Sequence, residues 1–116
     1  MNKNQCSICV IGLGYIGLPT ASLLGSKGHR VHGVDVSPEI VDTINQGRIH
    51  ILEPDLDILV KSAVGSGNLR AGLAPKAADV FTLAVPTPFK GDHQPDLSYI
   101  EQAVRLIAPY VKPGNL

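Results

Sequence analysis

No segment of this chain approaches the roughly 18 uninterrupted apolar residues needed to span a bilayer. The amino terminus, MNKNQCSICVIG, lacks the long apolar core and small-residue cleavage site of a secretory signal. Both absences predict a cytoplasmic protein with no membrane partner. Excess charge is missing too: ten basic side chains balance ten acidic ones, and no block of like charge interrupts the sequence. A nucleic-acid groove or a face for an acidic membrane would need such a block, so the expected partner is a small molecule. Cysteine is scarce. Cys6 and Cys9 form C-x-x-C, but they fall in CSICVI, which reads as a strand, where residues three apart point to opposite faces. No second cluster supplies further zinc ligands, so both read as packing thiols. His29, His32, His50 and His93 stand at no metal-ligand spacing and read as surface or loop residues. Among Asp92, Asp96 and Glu101, the last two are better explained as helix-start residues than as acid/base groups. Neither a metal site nor a catalytic acid, base or nucleophile emerges.

What is present suffices for one core: 116 residues, 44% of them apolar, in the length range that usually makes one domain. Ser7 to Ile11 is a short apolar run stopped by glycine, the pattern of a strand buried on both faces. Ile16, Leu18, Ala21, Leu23 and Leu24 then predict a helix ending at Gly28. RVHGVDV is a second strand that ends near Asp35. Ser37 and Pro38 start the next helix, with Ile40, Val41 and Ile44 at helical spacing and Gly47 as its stop. RIHILEPDLDILVKSAVGSG begins irregular and becomes helical, with Glu53, Asp55 and Asp57 near the start and Leu56, Leu59, Val60, Ala63 and Val64 as the buried stripe. NLRAGL predicts a weak third strand and DVFTLAV a strong fourth, closed by Pro86. A polar loop, PTPFKGDHQP, leads to a last helix in which Ser98 and Glu101 stand as a capping box and Leu97, Ile100, Val104 and Ile107 form the buried face, ended by Pro109. Alternating strands and helices predict an α/β fold, a Rossmann-like parallel sheet with helices on both faces, stopping after the fourth strand and its following helix.

The stretch IGLGYIGLPT opens that first helix with Gly12, Gly14 and Gly17 in G-x-G-x-x-G. Alone the spacing is weak. Here it directly succeeds a buried strand, and Asp35 ends the next strand close to the offset of about 20 residues in the dinucleotide fingerprint. Gly12 permits the tight turn, Gly14 lets backbone approach a pyrophosphate, and Gly17 lets helix and strand pack closely. The amides around Tyr15 and Ile16 then face the phosphates at a helix amino terminus. Asp35 can accept hydrogen bonds from ribose hydroxyls and repels a 2′-phosphate, which favours NAD over NADP. The competing reading is that the glycines only pack a helix onto the sheet and Asp35 only caps the segment after it. At the end of the fourth strand, AVPTPF holds Thr87 between prolines. Ligands of open α/β sheets bind beyond such strand ends, and the prolines stiffen the loop that presents the hydroxyl; as plain turn chemistry they would simply stop the strand.

VIGLGYIGLPTA, GVDV, VDTINQGRIHILEPDL, LAVPTPFKGD and PDLSYIE together resemble the start of the UDP-glucose/GDP-mannose dehydrogenase family. Within it, GRIHILEPDLD with VPTPFKGDHQPD is most similar to the branch whose substrate is UDP-N-acetyl-D-mannosamine. The resemblance implies a Rossmann domain whose NAD contacts fall on Gly12, Gly14, Tyr15, Ile16, Gly17, Asp35 and Thr87. It further implies oxidation of a UDP-sugar alcohol to the uronic acid by two NAD molecules, for surface polysaccharides such as enterobacterial common antigen. The family's catalytic cysteine lies in a later glycine-rich segment that neither Cys6 nor Cys9 matches. Residues 1–116 are therefore expected to be an incomplete NAD-binding domain, inactive alone, with the UDP-sugar partner bound only by the full-length protein. Homodimer formation is also expected, through an open edge on the fourth strand. Gly72 and Leu73 stand where a threonine-rich stretch is expected, which leaves the third strand's end open. The alternatives are the NAD domain of a β-hydroxyacid-type dehydrogenase, a type that lacks VPTP followed by PDLSYIE, and a non-catalytic NAD-sensing module.

Overall fold

The computed structural model describes residues 5–86, 89–90 and 94–116. Its centre is β1 (Ser7–Ile11), in which Ile8, Cys9, Val10 and Ile11 are all buried. A strand with no polar face must be covered on both sides, and β1 duly sits inside a parallel sheet. β2 (Arg30–Val34) lies on one flank and β4 (Val80–Leu83) on the other, with β3 (Leu69–Gly72) outside β2, in the order β3-β2-β1-β4. Ile8 is in register with both Val31 and Val80. The chain winds outward from β1 to β3 and then returns to the opposite flank of β1. This reversal opens a crevice beyond the carboxyl ends of β1 and β4.

Four helices arise from the pattern: α1 (Gly17–Ser26), α2 (Pro38–Asn45), α3 (Leu56–Gly65) and α4 (Ser98–Ile107), the last continued by a 3₁₀ turn at Ala108–Tyr110. Ser37 caps α2, its hydroxyl accepting from the Ile40 amide at 3.4 Å, with Pro38 in the first turn. Gly28, at φ +99°, ends α1 with its own amide on the Gly25 carbonyl and that of His29 on the Leu24 carbonyl. The same pair of bonds ends α2 at Gly47 and α3 at Gly67.

Side chains alternate across the strands. Ile8, Val10, Val31, Leu69 and Ala71 point to one face, where α1, α2 and α3 add Leu18, Ala21, Val41, Ile44, Leu56, Val60 and Ala63 in one continuous core. Cys9, Ile11 and Val34 point to the other face, where α4 adds only Ala103 and Ile107. Helices on both faces were expected, and both are present in unequal number. The side-chain amide of Asn45 on α2 exchanges two hydrogen bonds with the backbone of Ala71, at 2.9 and 2.8 Å, so the outer edge of β3 is covered.

Several expectations are corrected. Ser98 does not cap α4: it is the helix's first residue, and its amide donates to Asp96 Oδ1 at 2.9 Å. The shorter carboxylate placed two residues ahead satisfies that amide without the Glu101 arm of a capping box. Of the buried face expected for α4, Ile107 is buried and Ile100 half-buried, but Leu97 and Val104 are exposed and Ala103 is buried instead. In α3, Leu59 and Val64 are half-buried beside the fully packed Leu56, Val60 and Ala63. Cys6 precedes β1 and is exposed, so only Cys9 is a packing thiol. His32 is no surface residue: it lies in β2, half-buried, with Nε2 2.7 Å from the Ala74 carbonyl. The polar loop carries two short antiparallel strands, β5 (Phe89–Lys90) and β6 (Gln94–Pro95). The outer edge of β4 is not wholly open either. Leu116 donates to the Asp79 carbonyl at 3.0 Å and accepts from the Phe81 amide at 2.7 Å, so part of that edge is paired.

Candidate functional site

The loop between β1 and α1 passes directly under the end of β4. Gly12 adopts φ +98°, and a Cβ there would lie 2.5 Å from the Ala84 carbonyl oxygen, so only glycine makes this passage. A Cβ on Gly17 would overlap the Gly12 carbonyl oxygen, which explains why the start of α1 can lie so close to the loop. Gly14 is different. A Cβ at this position would meet nothing within 4 Å. Packing within the chain therefore does not require glycine there, and the open space above it suits the close approach of a ligand to backbone.

The amides of this loop are unspent. Gly14, Tyr15, Ile16 and Gly17 find no acceptor for their N–H groups among the described residues, and the first bonds into the helix run from Leu18 to Gly14 at 3.0 Å and from Thr20 to Ile16 at 3.2 Å. Helix α1 has no side-chain cap and no acidic residue in its first turn, whereas α2 has both Ser37 and Glu39. Free donors with a helix dipole behind them favour an anion. Tyr15 and Ile16 flank these donors with exposed side chains.

Asp35 stands immediately after β2, and its carboxylate is held from two directions. Oδ2 accepts from the Leu13 amide at 3.1 Å and Oδ1 from the Ser37 amide at 3.0 Å. The residue thus ties the glycine loop to the start of α2. The competing structural reading is correct as far as it goes, yet a carboxylate offers about four acceptor positions, and these bonds leave the others available. Two clefts meet at Asp35. One, of about 580 Å³, runs along Gly14, Tyr15, Ile16, Leu83 and Ala84. The second, of about 410 Å³, lies between the ends of β1 and β2 and the flank of α4, with Val36, Tyr99 and Leu106 in its walls. Gly12, Asp35, Val85 and Pro86 line both, so the two make one groove across the carboxyl ends of the strands.

The structure therefore brings Gly12, Gly14, Tyr15, Ile16 and Asp35 together at one groove, with Gly17 buried behind the loop against the Gly12 carbonyl. Thr87 lies outside the described residues, as do Asp92 and His93. The wall contributed by α4 was missed by sequence reasoning. Its signal was an excess of apolar residues on that helix, more than one buried stripe can use. Neither cysteine reaches the groove: Cys6 lies ahead of the opposite end of β1, and burial pushes the Cys9 thiol up, although a hydrogen bond with the Lys76 backbone acts the other way.

Residues 6–116 match the model of the UDP-glucose/GDP-mannose dehydrogenase family, NAD binding domain. The chain is 62% identical over 110 residues to an NDP-N-acetyl-D-galactosaminuronic acid dehydrogenase of Ralstonia nicotianae, covering 95% of this chain and 26% of that protein. It is 58% identical over 110 residues to the UDP-N-acetyl-D-mannosamine dehydrogenase of Escherichia coli, with the same coverage. Among solved structures, the UDP-N-acetyl-mannosamine dehydrogenase of Staphylococcus aureus superposes with a TM-score of 0.91 at 40% identity, over 94% of this chain and 27% of that one. The chain spans about a quarter of the length of the curated relatives it matches.

Proposed function

Because the chain belongs to the UDP-glucose/GDP-mannose dehydrogenase family and its cofactor is NAD, we propose that the groove at Asp35 is where the dinucleotide lies. The unspent amides of Gly14, Tyr15, Ile16 and Gly17 hold the pyrophosphate, Gly12 and Gly17 shape the loop, Asp35 accepts from the ribose, and Thr87 adds a hydroxyl contact. The observation that carries this reading is the empty space over Gly14 beside an uncapped helix amino terminus. When bound, NAD supplies the hydride acceptor. The chain's own residues hold and orient it.

Calorimetry with NAD and NADP on the wild type and Asp35→Ala tests the assignment. Loss of a charged acceptor weakens NAD by about tenfold or more and narrows the gap to NADP, since the same carboxylate repels a 2′-phosphate. An unchanged preference removes Asp35 from the site. Melting is followed in parallel, because the substitution also strips the Leu13 and Ser37 amides of their acceptor.

For the whole protein we propose a 6-dehydrogenase that takes UDP-N-acetyl-D-mannosamine to its uronic acid with successive NAD molecules, in surface-polysaccharide synthesis of the enterobacterial common antigen kind. The 58% identity to the Escherichia coli enzyme supports an N-acetylated amino sugar. The 62% identity to the Ralstonia nicotianae relative favours a second reading, with a galactosamine-type sugar in its place. Within residues 1–116 neither thiol reaches the groove, so these residues are read as the cofactor-holding part, inactive on UDP-sugars by themselves. We also read the protein as a cytoplasmic homodimer. No described helix is long and apolar enough to cross a membrane, and the place of β4 at the edge of the described sheet supports self-association. Steady NADH production by the 116-residue chain from UDP-N-acetyl-D-mannosamine overturns the first of these readings. Light scattering that finds only monomer at high concentration overturns the dimer.

A further inference from the structure

The chain returns from β3 to β4 by residues 73–79, short of the roughly dozen residues that a helical crossover takes. This segment passes over the second face as bare loop: the Ala74 carbonyl meets His32 Nε2 at 2.7 Å, and the Asp79 amide ends on the Ser7 carbonyl at 2.9 Å. Beside it a cleft of about 290 Å³ stays open at the amino ends of β2 and β3, at the opposite end of the sheet from the groove at Asp35. Arg30, His32, Arg70 and Lys76 line it, and no carboxylate does. The register explains the gathering. Arg30 and His32 are two apart in β2 and so share a face, and Arg70 of β3 stands opposite His32. Asp79, in an adjoining cleft with Arg30, spends Oδ2 on the amide and hydroxyl of Ser7, both at 3.1 Å. Ten charges of each sign cancel over the whole chain, but the walls of this cleft carry only cations and one imidazole.

We propose that this cleft binds a phosphate group, held by Arg30, Arg70 and Lys76 together with amides of the crossover loop. Ala77 and Ala78 also line it, and their N–H groups meet no acceptor among the described residues. Neutral donors thus stand beside the cations, the combination that phosphate oxygens take, and the planar fork of arginine matches phosphate in pairs of bonds. The volume falls just below the range of about 300–1,000 Å³ common to pockets for larger ligands. No aromatic side chain lines the walls, so a nucleotide base has no ring to stack on; a free phosphate or a small phosphate monoester suits the space. Without a counter-ion the cations repel one another, and the charge of Lys76 already acts against protonation of His32. An anion relieves that repulsion. Its binding stabilises the folded chain and favours the charged form of the imidazole.

Inorganic phosphate, added against chloride at constant ionic strength and neutral pH, is the probe. The readout is the His32 ring resonances of the 116-residue chain, which report this cleft and not the glycine loop. Phosphate is expected to shift them saturably and to raise the melting temperature. Arg70→Gln is expected to need about tenfold more phosphate for half the shift, the usual loss for one hydrogen bond to a charged group. Should Arg70→Gln fail to fold, Lys76→Gln in the same cleft is expected to need a similar excess. Lys61→Gln on α3, which removes a cation outside the cleft, is expected to change nothing. Methyl phosphate separates the two sources of the group: binding as tight as inorganic phosphate assigns the cleft to a monoester, and loss of binding assigns it to the free ion. His32 resonances that phosphate leaves in place overturn the inference, as does Arg70→Gln, or in its absence Lys76→Gln, that binds as wild type. An equal loss in Lys61→Gln overturns it too, since the effect is then general screening. None of these outcomes touches the reading of the groove at Asp35.

Discussion

On one face of the sheet, α1, α2 and α3 bring Leu18, Ile44, Leu56 and Val60 to 2% exposure or less. On the other, α4 brings two buried residues, Ala103 and Ile107, and leaves Tyr99, Val104 and Leu106 exposed. The first face is closed by the chain itself; the second borders the groove. Connectivity accounts for the difference. Both crossovers on the way out from β1 to β3 fall on the first face, while the second depends on a helix that arrives after the winding has reversed. Tight closure gives the loop at the end of β1 a rigid base, and incomplete closure leaves room for a ligand to finish the packing.

The glycines of the loop offer the largest test of this contrast. Gly17 belongs to the closed side, and Gly17→Ala forces a methyl into the Gly12 carbonyl. Overpacking against backbone that cannot yield costs about 3 kcal/mol or more, enough to unfold a marginal domain. Gly14 faces the open side, so Gly14→Ala should leave stability within about 0.5 kcal/mol of wild type, while NAD affinity falls at least about tenfold because the methyl enters the pyrophosphate's space. Chemical denaturation and calorimetry on the two variants read both effects. Equal destabilisation by both would erase the distinction between a packing glycine and a ligand-facing one.

A smaller effect separates the two cores. Leu56→Ala on the first face leaves a cavity walled by three helices, and should cost about 3 kcal/mol, within the usual range for buried leucine. Ile107→Ala on the second face should cost roughly half that, since α4 and the open cleft can relax around the gap. Urea midpoints at unchanged slope measure the pair. A larger loss at Ile107 than at Leu56 reverses the comparison and makes α4 an anchor in its own right.

The elements that were legible in the sequence are those whose reasons are local. The apolar run of β1, the Ser37–Pro38 start of α2 and the glycine stops of α1 and α2 each carry their cause within a few residues, and each forms as read. The glycine loop was legible for the same reason, since its spacing, the preceding strand and Asp35 stand in a fixed order. Features that depend on distant partners were not. Asp35 spends part of its carboxylate on Leu13 and Ser37, which the sequence presents only as a choice between capping and binding. The Ser98 amide of α4 goes to Asp96, and of the expected stripe Ile107 is buried while Ala103 takes the place of Leu97 and Val104, because a helix with apolar residues on two sides does not declare which side meets the sheet. His32 was read as surface because nothing local shows the segment around Ala74 folding over it.

That histidine gives the smallest expected effect and marks the second face chemically. His32 lies on the second face, in register with Cys9 of that core. His32 Nε2 meets the Ala74 carbonyl at 2.7 Å, Nδ1 is buried without a partner among the described residues, and a Cβ on Gly72 would lie 2.9 Å from the ring. Burial holds the imidazole below its ordinary range; the Ala74 carbonyl opposes this, and the charge of Lys76 adds to it. The unfolded chain takes up a proton at about pH 6.5, where the folded chain does not. Stability conferred by the neutral ring is therefore complete above about pH 6.5 and declines as pH falls toward the lower folded value, because the unfolded state then binds more protons. Melting temperatures measured downward from neutral pH should drop in the wild type and drop less in His32→Gln, which keeps a donor for Ala74 and cannot be charged. Parallel profiles for the two proteins would move the proton uptake to another group and leave the second face without its titrating residue.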